Sequence, residues 1–252
     1  MSRPVTLITG ASAGLGTEFA RQCARRGEPL ALAARRRDRM EALAAELGGD
    51  VHVFEADLAK AGAAASLIAE MGAEGLSVGT LINNAGFGLG GRFADRPLDR
   101  LSEMIDLNVR TLTELCHLVL PGMRERGEGA ILNVASTAAF QPGPNMAVYY
   151  ATKAYVLSFT EALHHEFKGS GIRVSALCPG PTHSEFSDVA DSHSPTLERM
   201  KMPAAPVVAA GLAGLDRNKA VVVPGLRNKI GAQASRFLTR ERMRRIIGSI
   251  KV

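Results

Sequence analysis

The sequence predicts an α/β fold in which a parallel sheet is covered by helices on both faces. Short apolar runs alternate with segments of helical periodicity along nearly the whole chain. Most of these runs lack alternating polar residues, as expected of strands that are buried on both sides. We expect seven strands, at residues 5–9, 29–33, 51–55, 80–83, 130–134, 172–177 and 220–223.

Between the predicted strands, apolar residues recur at helical spacing. The predicted helices cover residues 15–26, 37–47, 62–71, 98–126 and 149–167. Gly27, Gly48 and Gly169 stand where three of them should end, because glycine readily adopts the left-handed conformation found after many helices. Neither a repeat nor a change of composition marks a second domain, so we expect residues 1–252 to form one domain.

The composition suits one well-filled core, since 46% of the 252 residues are hydrophobic and 22% are charged. This balance excludes a disordered chain, a collagen-like chain and a disulfide scaffold. The three cysteines are scattered, which fits a reducing compartment, and no signal-peptide pattern opens the sequence. No apolar run approaches the ~20 residues of a membrane span. We therefore expect a cytoplasmic protein without a transmembrane segment.

Two segments depart from the regular alternation. Residues 182–206 are rich in Ser, His, Asp, Met and Pro, and their length favours a substrate loop over an ordinary connection; a surface insertion is the alternative. Residues 226–252 carry a net charge of +7, against −2 for the rest of the chain. Their apolar residues predict a basic amphipathic helix packed on the body. A surface that attracts phosphates, nucleic acid or anionic lipid is the alternative.

A glycine-rich turn joins the first predicted strand to the first predicted helix. Glycine lets the backbone turn tightly and lets a pyrophosphate approach the helix N-terminus, where free N–H groups favour negative charge. A serine within the turn adds a hydroxyl donor. A tight turn without a ligand is the alternative. The residues expected to contact a dinucleotide here are Gly10, Ser12, Gly14, Leu15 and Gly16.

Basic residues end the second predicted strand, where NAD-binding folds usually place an acid that accepts from the ribose 2′-OH. This chain has Arg35 and Arg36 there, with Arg39 nearby. A guanidinium forms paired hydrogen bonds with a phosphate and leaves a 2′-OH without its acceptor. The pattern favours NADP(H), with Arg35 as the main ligand and Arg36 as its helper. A solvated first turn of the next helix is the alternative.

Three further motifs follow the ends of predicted elements. They are Asn83-Asn84-Ala85-Gly86 after the fourth strand, Ser136 after the fifth, and Tyr149 with Lys153 thirteen residues later. Together with the glycine-rich turn, they resemble a short-chain dehydrogenase/reductase over essentially the whole chain. The resemblance implies a Rossmann-like, doubly wound sheet of seven strands and an NADP(H)-dependent oxidoreductase. It also implies a homodimer or homotetramer built through the two long helices.

The resemblance further implies the roles of individual residues. The catalytic set would be Asn108, Ser136, Tyr149 and Lys153, of which Tyr149 and Lys153 also contact the cofactor. The other implied cofactor contacts are Asp57 and Leu58 after the third strand, Asn84, Ala85 and Gly86 after the fourth, and Pro179, Gly180, Thr182 and Ser184 after the sixth. The family more often has valine where this chain has Thr182 and threonine where it has Ser184.

The spacing of Tyr149 and Lys153 gives this chemistry a physical basis. The two residues are four apart on a predicted helix and share one face. A free tyrosine has a pKa near ~10, and a neighbouring ammonium should lower it toward the working pH. In the reductive direction Tyr149 would protonate the substrate oxygen and Ser136 would orient it. Asn108 would hold a water molecule or kink the long helix.

The predicted substrate pocket is apolar. Its walls should come from residues 87–93, 137–146 and 182–206, which favours an apolar or mixed ketone or aldehyde, or the matching secondary alcohol. The particular substrate cannot be read from such a pattern. A catalytically silent NADP(H)-binding sensor and a peripheral binder acting through the basic C-terminus are the alternatives. We expect no nucleic-acid partner. We also expect no metal, because no histidine lies at ligand spacing.

Overall fold

Seven parallel strands form one sheet in this computed structural model, which describes residues 2–191 and 194–249. The order across the sheet is β3-β2-β1-β4-β5-β6-β7, and every neighbouring pair is parallel. The predicted doubly wound sheet is therefore confirmed. The strands are β1 Arg3–Thr9, β2 Leu30–Ala34, β3 Val51–Glu55, β4 Leu76–Asn83, β5 Gly129–Val134, β6 Ile172–Leu177 and β7 Val221–Val222.

Helices cover both faces of the sheet, and a separate buried cluster fills each side. One cluster packs α3, α5 and α6 on the sheet, and the other packs α1, α2 and α9. The sequence pattern does not predict α9, because the many alanines and glycines of this helix give no clear helical periodicity. The helices are α1 Gly14–Arg25, α2 Arg37–Leu47, α3 Ala63–Ala73, α4 Leu98–Ile105, α5 Leu112–Arg126, α6 Ala147–Glu166, α7 Phe186–Val189, α8 Pro195–Glu198, α9 Ala204–Asp216, α10 Leu226–Ala234 and α11 Arg240–Gly248.

The strand order reverses between β1 and β4, which opens a crevice at the carboxyl ends of these strands. Thr9 ends β1, and its Oγ1 accepts hydrogen bonds from the backbone N–H groups of Asn84 and Ala85, each at 3.0 Å. Asn84 Nδ2 in turn donates to the Thr9 carbonyl oxygen at 2.9 Å. These bonds hold the glycine-rich turn against the segment that follows β4.

The predicted helix over residues 98–126 is interrupted in the structure. A π-helical stretch, Asp106–Thr111, separates α4 from α5. The wider turn directs Asn108 inward, where it is only 1% exposed. Its Nδ2 donates to the Phe87 carbonyl at 2.9 Å and to Thr152 Oγ1 at 3.1 Å, and its Oδ1 accepts from the Phe87 N–H at 3.1 Å. Satisfying this buried amide accounts for the change of helical period.

A second group of buried amides fixes α6 on the sheet. Asn83 at the end of β4 donates to Asn133 Oδ1 in β5 at 3.0 Å, and Asn133 Nδ2 donates to Thr160 Oγ1 in α6 at 3.0 Å. Asn133 and Thr160 are fully buried. Removing one partner would leave the others unsatisfied, so the network holds α6 in one position along the strands.

The basic C-terminal segment forms two helices instead of the single packed helix that the sequence predicts. A new start at Thr239, whose Oγ1 accepts from the Arg242 N–H at 3.3 Å, begins α11. The expected packing is also wrong in part, because Ile230 is 61% exposed, Phe237 86% and Ile246 49%. Residues 250–252 lie outside the described residues. Apolar periodicity indicated helix here, but it could not show whether a surface was available to cover it.

Candidate active site

The glycine-rich turn forms a narrow backbone cradle at the N-terminus of α1. Gly10 and Gly14 have φ angles of +66° and +56°. A Cβ on Gly14 would lie 2.9 Å from Ser184 Cβ, and one on Gly16 would collide with the Gly10 carbonyl oxygen. Within the described chain, Ala13 provides no side-chain cap to the helix. The turn therefore leaves the first amide groups of α1 available to a pyrophosphate.

The arginines after β2 point in different directions. Arg36 Nε lies 3.3 Å from Ser12 Oγ in the glycine-rich turn. Its Nη1 donates to Glu185 at 2.9 Å, and Arg39 Nη1 donates to the same carboxylate at 2.6 Å. The Arg35 side chain is 65% exposed, and its Nη1 lies 3.6 Å from a carboxylate oxygen of α4. The geometry thus brings Arg36, the predicted helper, to the turn, whereas Arg35, the predicted main ligand, faces α4.

Asp57 and Leu58, two of the expected cofactor contacts, follow β3 at the same end of the sheet. Asp57 Oδ1 accepts from the Ala59 N–H at 3.3 Å. Leu58 is buried, and its carbonyl oxygen accepts from Thr111 Oγ1 at 2.6 Å. The turn after β3 is thereby attached to the π-helical stretch.

Ser136 and Tyr149 lie together beyond the end of β5. Ser136 precedes the 3-10 helix Thr137–Phe140, and its Oγ accepts from the Ala138 N–H at 3.1 Å. Tyr149 lies in the first turn of α6 and is 9% exposed. Burial raises the pKa of Tyr149 to about 12, although its hydrogen bond with Ser136 acts to lower it. The phenol therefore holds its proton at neutral pH, and the lowered pKa expected from the sequence is wrong for this structure.

Lys153 lies one helical turn after Tyr149. Its Nζ donates to the Val134 carbonyl oxygen at 2.8 Å and stands 5.9 Å from the centroid of the Tyr149 ring. Burial lowers the pKa of Lys153 to about 8, while the nearby Cys178 acts weakly in the opposite direction. The ammonium is directed at the Val134 carbonyl oxygen at the end of β5. Burial has the largest effect on the pKa of Lys153 and on that of Tyr149.

Asn108 joins this group through Gly86. A Cβ on Gly86 would lie 2.8 Å from Asn108 Oδ1 and 3.6 Å from Lys153 Nζ. Asn108 makes its own hydrogen bonds to Phe87 and Thr152. It therefore positions the segment after β4 against α6, and the predicted kink of the long helix corresponds to the π-helical stretch that contains it.

The loop after β6 closes over the turn and the tyrosine. The Pro179 carbonyl oxygen accepts from the Thr137 N–H at 2.8 Å. Thr182 forms a parallel bridge with Met202, and Ser184 lies against Gly14. The predicted substrate loop, residues 182–206, contains α7, α8 and the start of α9. It thus has more regular structure than its composition suggests.

Apolar side chains surround the Tyr149 ring. The Phe186 ring centroid lies 5.2 Å from it, and Phe87, Met146 and Ala190 belong to the same buried cluster. These residues come from the three segments that the sequence predicts as pocket walls. Phe93, in the first of those segments, is 63% exposed and does not belong to the cluster.

Several residues that shape the site escape the sequence analysis. Thr9 and Thr152 each lie within a motif in which only the neighbouring residues were predicted to act. Their place in these motifs was the sequence signal that could have identified them. Asn228 of α10 packs against the expected cofactor contact Gly180, where a Cβ would collide with the Asn228 side chain. Glu185 contacts the arginines after β2 across more than 140 residues of chain. No local pattern indicates these last two contacts.

Known proteins resemble this chain in sequence and in fold. Residues 4–194 match the family model described as short chain dehydrogenase. A very-long-chain 3-oxoacyl-CoA reductase of Anas platyrhynchos is 35% identical over 191 residues, which are 73% of this chain and 61% of that relative. An NADP-dependent 3-hydroxy acid dehydrogenase of Escherichia coli (strain K12) is 35% identical over 187 residues, 73% of this chain and 75% of its own length.

Among solved structures, a short-chain dehydrogenase from Sphingobium yanoikuyae in complex with NADPH superposes with a TM-score of 0.84. The two chains are 34% identical, and the match covers 98% of this chain and 96% of the other. The protein therefore belongs to the short-chain dehydrogenase family, a family of oxidoreductases. The predicted family and enzyme class are confirmed.

Three further observations apply to the described residues. No helix among them is both long and apolar enough to cross a bilayer. No three of their His, Cys, Asp and Glu side chains are arranged to hold a metal ion. The cysteines Cys23, Cys116 and Cys178 are buried free thiols.

The burial of Lys153 predicts a pH-dependent stability. Its pKa is about 8 in the folded state and ordinarily 10.5. Between these values the unfolded chain binds more protons, so the free energy of unfolding rises with pH. Relative to Lys153→Met, the unmodified protein should gain about 1 kcal/mol between pH 7 and pH 9, measured by urea unfolding. Parallel pH profiles for the two proteins would contradict the assigned burial.

Proposed function

We propose that this protein is an NADP(H)-dependent oxidoreductase that interconverts a carbonyl compound and an alcohol. The observation that supports this most directly is the convergence of Ser136, Tyr149 and Lys153 beside the segment after β4, which is bonded to the residue before the glycine-rich turn. A phenol, a hydroxyl donor and a buried ammonium at the carboxyl end of a doubly wound sheet suit proton transfer to a substrate oxygen next to a dinucleotide.

The residues around the turn fit NADP(H). Glycines at positions 10, 14 and 16 permit the close packing of the turn at the N-terminus of α1, an end of a helix that favours a pyrophosphate, and Arg36 beside Ser12 offers charge to a 2′-phosphate. One relative is named NADP-dependent, and one similar structure is a complex with NADPH. The bound nicotinamide would supply the hydride, or accept it in the reverse direction.

The chain's own residues would handle the proton. Tyr149 keeps its phenolic proton at neutral pH, so it can donate to the oxygen of a carbonyl that is being reduced. Ser136 would hydrogen-bond the same oxygen and fix its direction. Lys153, with a pKa of about 8, would stabilise the phenolate and return a proton to it. In the direction of oxidation, the same groups would act in reverse.

The apolar surroundings of Tyr149 support an aldehyde or ketone with apolar substituents, or the matching secondary alcohol. The loop after β6 would form part of this pocket. NADPH oxidation should be measured against aldehydes, aliphatic and aromatic ketones, steroids, sugars and 3-oxoacyl thioesters. Turnover of any of them would reject a catalytically silent sensor. Stoichiometric NADPH binding without turnover of any would favour one.

Replacing the phenol should abolish turnover without removing the cofactor site. We expect Tyr149→Phe to lower kcat for carbonyl reduction by at least ~100-fold, because the proton donor is lost, and to leave NADPH affinity nearly unchanged. Tyr150→Phe is the matched control, since its ring lies 6.0 Å from that of Tyr149. Full activity of Tyr149→Phe in steady-state assays would disprove the assigned role.

The arginines after β2 should set the preference between cofactors. We expect Arg36→Ala to lower kcat/KM for NADPH by about 10- to 100-fold and to affect NADH little, because only NADPH has a 2′-phosphate to lose its partner. Arg35→Asp should shift the preference toward NADH less strongly, since Arg35 lies away from the turn. Equal losses with both cofactors would contradict the phosphate-binding role of Arg36.

We further propose a cytoplasmic homodimer or homotetramer that associates through α4, α5 and α6. Exposed apolar side chains on these helices, Ile105, Leu118 and Tyr155, support this surface. The competing interpretation is that the protein is a peripheral binder, which uses exposed apolar residues of the basic C-terminus. Light scattering should give a multiple of the 26.7 kDa chain mass, and Leu118→Asp should reduce it. A monomeric unmodified protein would exclude the proposed assembly.

A further inference from the structure

A carboxylate from the loop after β6 lies between two of the arginines beside the glycine-rich turn. Glu185 accepts from Arg36 Nη1 at 2.9 Å and from Arg39 Nη1 at 2.6 Å. These three side chains are all about half exposed. The two guanidiniums hold the pKa of Glu185 below its usual value, so the group is a carboxylate at neutral pH.

The position of this ion pair links it to the cofactor side of the site. Arg36 contacts Ser12 through Nε while Nη1 is occupied by Glu185. The neighbouring Ser184 lies directly over Gly14. A carboxylate therefore occupies guanidinium donors at the same corner of the molecule where a 2′-phosphate would need them.

We propose that Glu185 is a specificity-determining residue whose carboxylate competes with the adenosine 2′-phosphate for Arg36 and Arg39. The inference rests on the proposed binding of NADP(H). Carboxylate and phosphate oxygens take the same guanidinium N–H donors. The carboxylate also offsets part of the positive charge that would attract the phosphate. Glu185 thus moderates the preference for 2′-phosphorylated ligands, whereas a dinucleotide without the phosphate does not meet this competition.

Removal of the Glu185 carboxylate has two separable effects. Loss of competition strengthens binding only of ligands with a 2′-phosphate. Loss of a contact that fastens the loop to α2 changes the binding of all adenine nucleotides alike. The ratio of the affinities for 2′,5′-ADP and 5′-ADP therefore isolates the competition, because the two compounds differ in the location of one phosphate and neither requires turnover.

The test is calorimetric titration of Glu185→Gln and of the unmodified protein with both compounds. We expect the Kd for 2′,5′-ADP to fall about three- to tenfold and the Kd for 5′-ADP to stay nearly constant. Glu41→Gln is the matched control. It removes the same charge from an acid of α2 that pairs with Arg37 at 2.7 Å. Both Kd values of this control should match those of the unmodified protein.

Equal changes for both compounds in Glu185→Gln would overturn the proposal, as would weaker binding of 2′,5′-ADP. Titration of Arg36→Ala distinguishes the reason. If that variant loses its preference for 2′,5′-ADP while Glu185→Gln behaves like the control, the NADP(H) assignment stands and only the competition fails. If Arg36→Ala keeps the full preference for 2′,5′-ADP, other residues hold the phosphate, so the roles proposed for Arg36 and Glu185 fail while the NADP(H) assignment stands.

Discussion

The burial of the Lys153 ammonium is the interaction on which the organisation of the site depends. A buried charge is costly unless it is hydrogen-bonded, and the Val134 carbonyl oxygen at the end of β5 provides that bond at 2.8 Å. The distance between Lys153 Nζ and the Val134 carbonyl oxygen requires α6 to occupy one position along the strands. The buried contacts of Asn133 with Thr160 and of Asn108 with Thr152 fix that position. The polar network in the core thus supports the side chains of the candidate active site.

The glycine-rich turn and the apolar cluster around Tyr149 are connected through the same segments of the chain. The turn after β1 is bonded to the segment after β4 through Thr9, and it also touches the loop after β6 at Ser184. The same loop carries Phe186 onto the Tyr149 ring. Movement of this loop would therefore alter the pyrophosphate cradle and the apolar wall together. Such coupling suits a reaction in which a dinucleotide and a substrate must be aligned before hydride transfer.

The largest differences between expectation and structure have local causes. β4 begins at Leu76, well before the predicted start, and it pairs along β1. The prediction began too late because Gly79 and its polar neighbours obscure the apolar pattern of the strand. Helical periodicity in residues 98–126 gave no sign of the π-helical stretch, since a change of one residue per turn barely alters that pattern. The C-terminal helices remain partly uncovered because periodicity reports an amphipathic face without reporting its partner.

The sequence alone determined the number of strands, their parallel arrangement and the residue types at each motif, because buried strands and glycine turns leave short-range patterns. It also placed Tyr149 and Lys153 on one helical face, which follows from their spacing. Only the tertiary structure decided that Arg36 and not Arg35 meets the turn, that Glu185 pairs with Arg36, and that burial raises the pKa of Tyr149. These outcomes depend on distances between distant segments and on the exclusion of water, and neither quantity is encoded in local spacing.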